Sequence, residues 1–331
     1  MSRKLLGLSV TGTLLAGAVA ADAPRVAVDI APVHSLVARV MDGVGIPDLI
    51  IAPGGSPHEY SLRPSEAGAL QDADLVFWVG ADLTPWLHDA IENLAGDADT
   101  TELLELEGTT TYAFREGALF EAHDHEETDH DDHGHEAEHE HEEEHAHDDD
   151  HSHDDDHGHE HGSYDPHAWL SPENAAFWLT EIADKLASAD PENADTYRSN
   201  AEAGREELAV LSSEISAALD PVRDRNFIVF HDAYQYFERS FEMPASGAIS
   251  LSDASDPSPA RISEIQDRVA DLGVTCVLSE PQFDPGLVAS VMEGSDARTA
   301  VLDPLGSNLD PGAALYPQMM KNLATTLAEC L

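Results

Sequence analysis

The sequence predicts an α/β fold, with parallel sheets in two lobes joined by one long helix. Two observations carry this class. Short apolar runs of strand length alternate along the chain with segments whose apolar residues recur three and four apart, the pattern of βα units around parallel sheets. Near the midpoint, a stretch of about thirty residues keeps helical spacing without a break. A chain of 331 residues is long enough for two domains of modest size.

Taken in order, residues 1–20 read as a secretory signal peptide. Arg3 and Lys4 form the positive n-region, an apolar run extends from Leu5 to Val19, and Ala18-Val19-Ala20 is a small-residue cleavage site, so cleavage is expected near Ala20. The run is too short and too rich in Ala and Gly for a membrane span, and no lipobox cysteine follows it. The expected N-terminal lobe covers residues 21–189. Within it, residues 26–30, 49–52, 75–79 and 103–106 read as strands, and 32–42 and 64–72 as helices. The linking helix is expected over 190–219. Asp190 is placed as its N-cap and Pro191 at its first position, and Ala194, Tyr197, Ala201, Leu208, Leu211, Ile215 and Leu219 form its apolar face. At 1.5 Å per residue it would span about 45 Å, the height of two stacked lobes, and would act as a stiff connector. The expected C-terminal lobe covers 220–331, with strands at 227–230, 274–278 and 300–302 and a helix at 260–272.

A His/Asp/Glu-rich loop, 121–162, interrupts the first lobe. Residues 121–161 hold fourteen of the nineteen histidines and twenty Asp and Glu, with no Lys or Arg. Such a segment cannot bury enough apolar surface to order itself and is expected to be disordered. Its histidines fall largely in HxH pairs: His123 with His125, His133 with His135, His139 with His141, His145 with His147, His151 with His153, and the run His157, His159 and His161, with His130 standing between pairs. In an extended chain such pairs put two imidazoles on one face, and two pairs close a tetrahedral site. Imidazole is the commonest side-chain ligand for zinc, so the segment indicates a divalent transition metal rather than an incidental acidic tail. The formal charge is −49, of which residues 121–161 supply −20 and the rest −29. That balance excludes nucleic acid and anionic membrane as partners. The two cysteines, Cys276 and Cys330, suggest a disulfide in an exported chain, with buried free thiols as the alternative.

Five histidines remain outside the loop. His58 lies in Gly54-Gly55-Ser56-Pro57-His58-Glu59-Tyr60, after the second expected strand; His167 lies in Asp165-Pro166-His167-Ala168-Trp169; His231 directly follows the strand 227–230. Ligands of open parallel sheets bind beyond the carboxyl ends of strands, which is where His58 and His231 fall. Three imidazoles from separate loops suit zinc, leaving a fourth position for water or a carboxylate. His34 follows the first strand and is a weaker candidate for the cleft, whereas His88 reads as structural. Asp165 and Asp232 are candidates to fix the imidazole tautomers, by their nearness in sequence alone.

The stretches Gly-Gly-Ser-Pro-His-Glu-Tyr-Ser-Leu-Arg-Pro-Ser, Asp-Pro-His-Ala-Trp-Leu-Ser-Pro-Glu-Asn, Phe-His-Asp-Ala-Tyr, Ser-Glu-Pro-Gln-Phe and Leu-Asp-Pro-Leu-Gly occur in this order. Together they resemble the zinc-binding proteins of ABC importers, the ZnuA group. The resemblance covers essentially the whole expected mature chain. It implies two (β/α)4-like lobes joined by a backbone helix with Zn2+ in the inter-lobe cleft, and His58, His167 and His231 as ligands. It also implies a disulfide, since the family's C-terminal cysteine pair matches Cys276 and Cys330. Relatives selective for manganese or iron carry a carboxylate where His231 stands and an Asp near the C-terminus, where this chain reads Gly312-Ala313-Ala314-Leu315. Some zinc members carry an acidic residue just before the first histidine, where this chain has Pro57. Water is therefore the first expectation for the fourth ligand and Glu59 the second.

The function expected from all this is a non-catalytic, monomeric periplasmic protein. It captures Zn2+ and delivers it to an ABC permease in the inner membrane, with the loop collecting or transferring metal. Exchange with a periplasmic metallochaperone is a further option. Three alternatives stay open at this point: a zinc buffer whose main site is the loop, a manganese- or iron-binding relative, and a three-histidine zinc hydrolase with Glu59 as base. Against the last, the chain carries no Walker loop, HExxH or GxSxG motif.

Overall fold

The structure, a computed structural model, describes residues 23–115, 120, 164–250, 258–283 and 285–331. The expected signal peptide and the His-rich loop lie outside the described residues. So, therefore, do all the accessory metal ligands expected in that loop: His123, His125, His130, His133, His135, His139, His141, His145, His147, His151, His153, His157, His159 and His161. The first lobe runs β1 (Val26–Val28), α1 (Ala31–Val40), β2 (Asp48–Leu49), α2 (Pro64–Asp72), β3 (Leu75–Trp78), α3 (Pro85–Leu94) and β4 (Asp99–Glu102). Two helices follow, α4 (Pro172–Ala189) and α5 (Ala194–Leu219). The second lobe runs β5 (Phe227–His231), α6 (Gln235–Phe241), β6 (Ala248–Ser250), α7 (Pro259–Asp271), β7 (Cys276–Ser279), α8 (Pro285–Val291), β8 (Arg298–Val301) and α9 (Leu315–Cys330).

Each lobe holds a four-stranded parallel sheet, and the strand orders match: β2-β1-β3-β4 in the first and β6-β5-β7-β8 in the second. The central strands β1, β3 and β5 are buried throughout, as expected for strands covered on both faces. The outer face of each sheet packs a small core of its own, Ala27, Val76 and Trp78 against Leu70, Leu87 and Ile91 in the first lobe, Ile228, Ile249 and Val277 against Ile265, Val269 and Val288 in the second. The inner faces merge. Val28, Phe77, Trp178, Tyr197, Leu211, Phe227, Leu278, Met319 and Leu323 belong to one continuous core that runs through α1, α4, α5 and α9.

α5 is the spine of this shared core. Arg39 of α1 pairs with its Glu207 at 2.8 Å, and Lys321 of α9 pairs with its Glu214 at 3.1 Å, so it is tied to both lobes. At Gly204 a Cβ would stand 2.9 Å from the end of the Leu179 side chain of α4, so glycine lets the two helices approach without moving that side chain. The helix starts later than expected. Asp190 ends α4 instead of capping α5: its backbone N–H bonds to Leu186 and its carboxylate accepts from the Tyr197 hydroxyl at 2.9 Å. The cause is Pro191, which forces the preceding residue out of helical conformation and cannot continue α4's hydrogen bonds. α5 therefore has 26 residues, about 39 Å.

One strand expectation needs correction, and one strand was not expected. The apolar residues Leu103 and Leu104 are buried, but they follow β4, which is the polar edge stretch Asp99–Glu102. β6, three residues long, carried no separate signal in the sequence. Cys276, in β7, and Cys330, at the end of α9, form the disulfide, which ties the C-terminal helix to the second sheet.

Candidate metal centre

The carboxyl ends of both sheets open onto the same cleft, and three histidines meet there. His58 is carried by the loop after β2, His167 by the turn that precedes α4, and His231 is the last residue of β5. Each offers a ring nitrogen, and these nitrogens all lie within 4.8 Å of one another. His167 and His231 are almost wholly buried, while His58 is half-buried. The surrounding space is lined by Pro57, Trp169, Gln282, Pro304 and Leu305.

Each element holds its histidine by bonds readable in local chemistry. Pro57 O accepts from the Trp86 indole at 2.7 Å, and the Tyr60 hydroxyl bonds Glu66 at 2.8 Å, so both sides of His58 are pinned to the first lobe. Asp165 Oδ1 accepts from the backbone N–H of His167 at 3.0 Å and faces its Nδ1 at 2.7 Å. Trp169, two residues on, donates from its indole to Pro304 O at 2.9 Å, across to the second lobe. His231 Nδ1 faces Glu280 Oε1 at 2.6 Å, from the residue just past β7.

These carboxylates fix the tautomers. A carboxylate only accepts, so Nδ1 of His167 and of His231 each carries its proton, and each Nε2 presents a lone pair. The two Nε2 atoms are 3.3 Å apart. Tetrahedral zinc with Zn–N of about 2.05 Å sets its ligand nitrogens about 3.3–3.4 Å apart. Burial pushes the Asp165 carboxyl up to about 6, opposed by its bonds to His167 and Gln235 and by the charge of Arg115.

Asp165 takes the tautomer-fixing place expected of it, but Asp232 does not. Its carboxylate turns away to Arg115, which also binds Glu238 at 2.7 Å. Burial raises the carboxyls of Asp232 and Glu238 above their ordinary values, with Arg115 opposing. Glu280 holds the second tautomer-fixing place. Its stretch stood out in the sequence, but nothing local linked it to a residue 49 positions earlier. Glu59 is exposed and is not among the clustered ligand atoms. His34 is buried in α1 with Nε2 at 3.0 Å from Pro47 O, and burial lowers its pKa. His88 sits on α3 beside exposed Asp89 and Glu92, the second cluster of potential metal-binding groups among the described residues.

Two α/β lobes on a shared helical frame, with buried imidazoles converging between them, define a binding protein of the cleft type for a transition-metal ion. The family model described as "ZnuA: Zinc-uptake complex component A periplasmic" matches residues 26–330. The chain belongs to this family. It is 46% identical over 333 residues to the high-affinity zinc uptake system protein ZnuA of Brucella abortus (strain 2308), covering 99% of each chain. It is 45% identical to the protein of the same name from Paracoccus denitrificans (strain Pd 1222), covering 94% of this chain and 93% of the relative. Among solved structures, one described as "Crystal structure of ZnuA" superposes with a TM-score of 0.71 at 22% identity, covering 93% of this chain and 99% of the other. A mutant of the laminin-binding adhesin from Streptococcus agalactiae also reaches 0.71, at 21% identity, covering 93% of this chain and all of the other. These structural likenesses bear on the fold.

Proposed function

We propose that this protein is the periplasmic zinc-binding component of an ABC-type uptake system, with His58, His167 and His231 holding the ion. It is a carrier and not an enzyme, in keeping with its family. The observation that carries the reading is the pair of Nε2 atoms, of buried His167 and His231, set 3.3 Å apart. That spacing is the one tetrahedral zinc sets between two ligand nitrogens, and neutral imidazoles favour zinc over the oxygen-seeking manganese and magnesium. A carboxylate in place of His231 would suit those harder ions better.

The captured zinc passes to an ABC permease in the inner membrane. The chain reaches the periplasm through a signal peptide cleaved near Ala20 and acts there as a monomer. The His-rich loop serves as an accessory collector: fourteen imidazoles hold about three or four tetrahedral zincs and pass them inward by ligand exchange, or accept them from a periplasmic metallochaperone.

The test is zinc titration by calorimetry with a competing chelator, on the intact protein, on a deletion of residues 121–161, and on that deletion with His231→Ala. One tight site surviving the loop deletion and weakening strongly in the last variant supports the reading. Loss of all tight binding with the loop would make the protein a zinc buffer.

A further inference from the structure

The three histidines leave one position of a tetrahedral ion unfilled, and the lining of the site holds one more polar group. Gln282 stands beside the histidines, two residues beyond Glu280. Its Nε2 donates to Glu280 Oε2 at 3.1 Å. This fixes the amide's orientation, because the opposite flip would set its carbonyl against a carboxylate. Its carbonyl oxygen, Oε1, is buried and has no hydrogen-bond partner. A buried acceptor without a partner costs about 1–3 kcal/mol, and a residue lining a cation site that leaves its carbonyl unused invites a ligand.

We propose that the Gln282 carboxamide oxygen is the fourth zinc ligand. This rests on the three-histidine reading above. Three further points favour it over water or Glu59. The free space among the histidines is small, about 10 Å³, roughly that of one water, and the ion itself takes it up. The charge is already balanced, since the carboxylates of Asp165 and Glu280 behind two neutral imidazoles offset the two charges of zinc, and a neutral oxygen completes the set without excess. The Glu280 carboxylate also pulls on the Gln282 N–H, which makes the carbonyl a better donor, as outer carboxylates do for ligating imidazoles.

The experiment loads the intact chain with one equivalent of cobalt(II), whose visible bands report the ligand field, and adds azide. At low millimolar concentration azide replaces a metal-bound water far more readily than a tethered, buried protein ligand. The parent spectrum is expected to be unmoved by azide, the Gln282→Leu and Gln282→Met variants to respond to it, and their zinc affinity to fall about tenfold in chelator competition. A parent spectrum shifted by azide overturns the proposal, as does a Gln282→Leu protein with unchanged affinity and bands. The azide result on the parent needs no variant to fold. If the parent has no tight cobalt or zinc site, or His231→Ala leaves it intact, the three-histidine reading itself fails. If that site stands and Gln282→Leu changes nothing, only the Gln282 assignment falls.

Discussion

Glu280→Gln tests whether the tautomer of His231 is set from behind. In the parent, Oε1 faces His231 Nδ1 at 2.6 Å and Oε2 accepts from Gln282 at 3.1 Å, so two acceptors meet two donors. The His231 side chain is 4% exposed and that of Glu280 0%, so no water competes for either bond. A glutamine offers one acceptor and brings two N–H groups. With its oxygen on His231 its amide N–H faces Gln282, which must then flip its own amide or set donor against donor. The substitution also removes one of the two charges that offset zinc. Loss of such an outer partner weakens metal binding about 10–100-fold, or about 1.4–2.7 kcal/mol. The assay is zinc competition against a chelator of known affinity, with Asp232→Asn as control. Asp232 neighbours His231 in sequence but bonds Arg115, so the control is expected to keep its zinc affinity while losing thermal stability. If Glu280→Gln binds zinc as tightly as the parent, or Asp232→Asn loses as much affinity as expected for Glu280→Gln, the assignment of roles is refuted.

Arg115→Met strips the only cation bonded to two buried carboxylates, Asp232 and Glu238, among the described residues. It should cost about 3–5 kcal/mol at neutral pH. Both carboxyls already have native pKa values above the ordinary range, so the native state holds their protons more tightly than the unfolded chain. The destabilisation should therefore shrink as pH falls toward 5, and thermal unfolding of variant and parent at pH 7 and pH 5 checks the sign. Separately, zinc bound by residues 121–161 should decline as pH drops through about 6, because the imidazoles must be deprotonated to bind. Equal loop stoichiometry by calorimetry at pH 7.5 and pH 5 would defeat the histidine account of the loop.

The parts of this site that follow a strand end were legible in the sequence. His231 terminates an apolar run and His58 sits in a glycine-rich loop after another, so a parallel-sheet reading delivered both to one cleft. Asp165 was legible too, because a side chain two residues from an imidazole reaches it without tertiary help. Asp232 was misread for a related reason: adjacent residues in extended chain face opposite ways, so the neighbour of a ligand usually looks elsewhere. Glu280 was illegible as the partner of His231, and Gln282 as part of the same site. They become neighbours only because β5 and β7 pair in parallel, Phe227 beside Cys276 and Ile228 beside Val277, which brings the ends of both strands together. The misplaced fourth strand and helix start have local causes. Leu103 and Leu104 are apolar because they fill the core beyond a polar edge strand, and Pro191 looks the same at the start of one helix as at the corner between two.

The frame also bears on how an ion enters and leaves. Wide separation of the lobes would break the continuous core along α5, the bond from Tyr316 N–H to Ser35 at 2.9 Å, the bond from Trp169 to Pro304 at 2.9 Å, and the ion pairs of Arg115 with Asp232 and Glu238. Each of these is buried or partly buried, so losing them together would take a large share of the roughly 5–15 kcal/mol that stabilises a domain. Moving the His58 loop disturbs far less, chiefly the Trp86–Pro57 bond and the Tyr60 contacts with Glu66 and the Ala52 N–H. His58 is also the least buried of the three histidines. Two histidines sit on the shared frame and one on a half-buried loop, so the contacts that hold His58 are fewer than those that hold the lobes together.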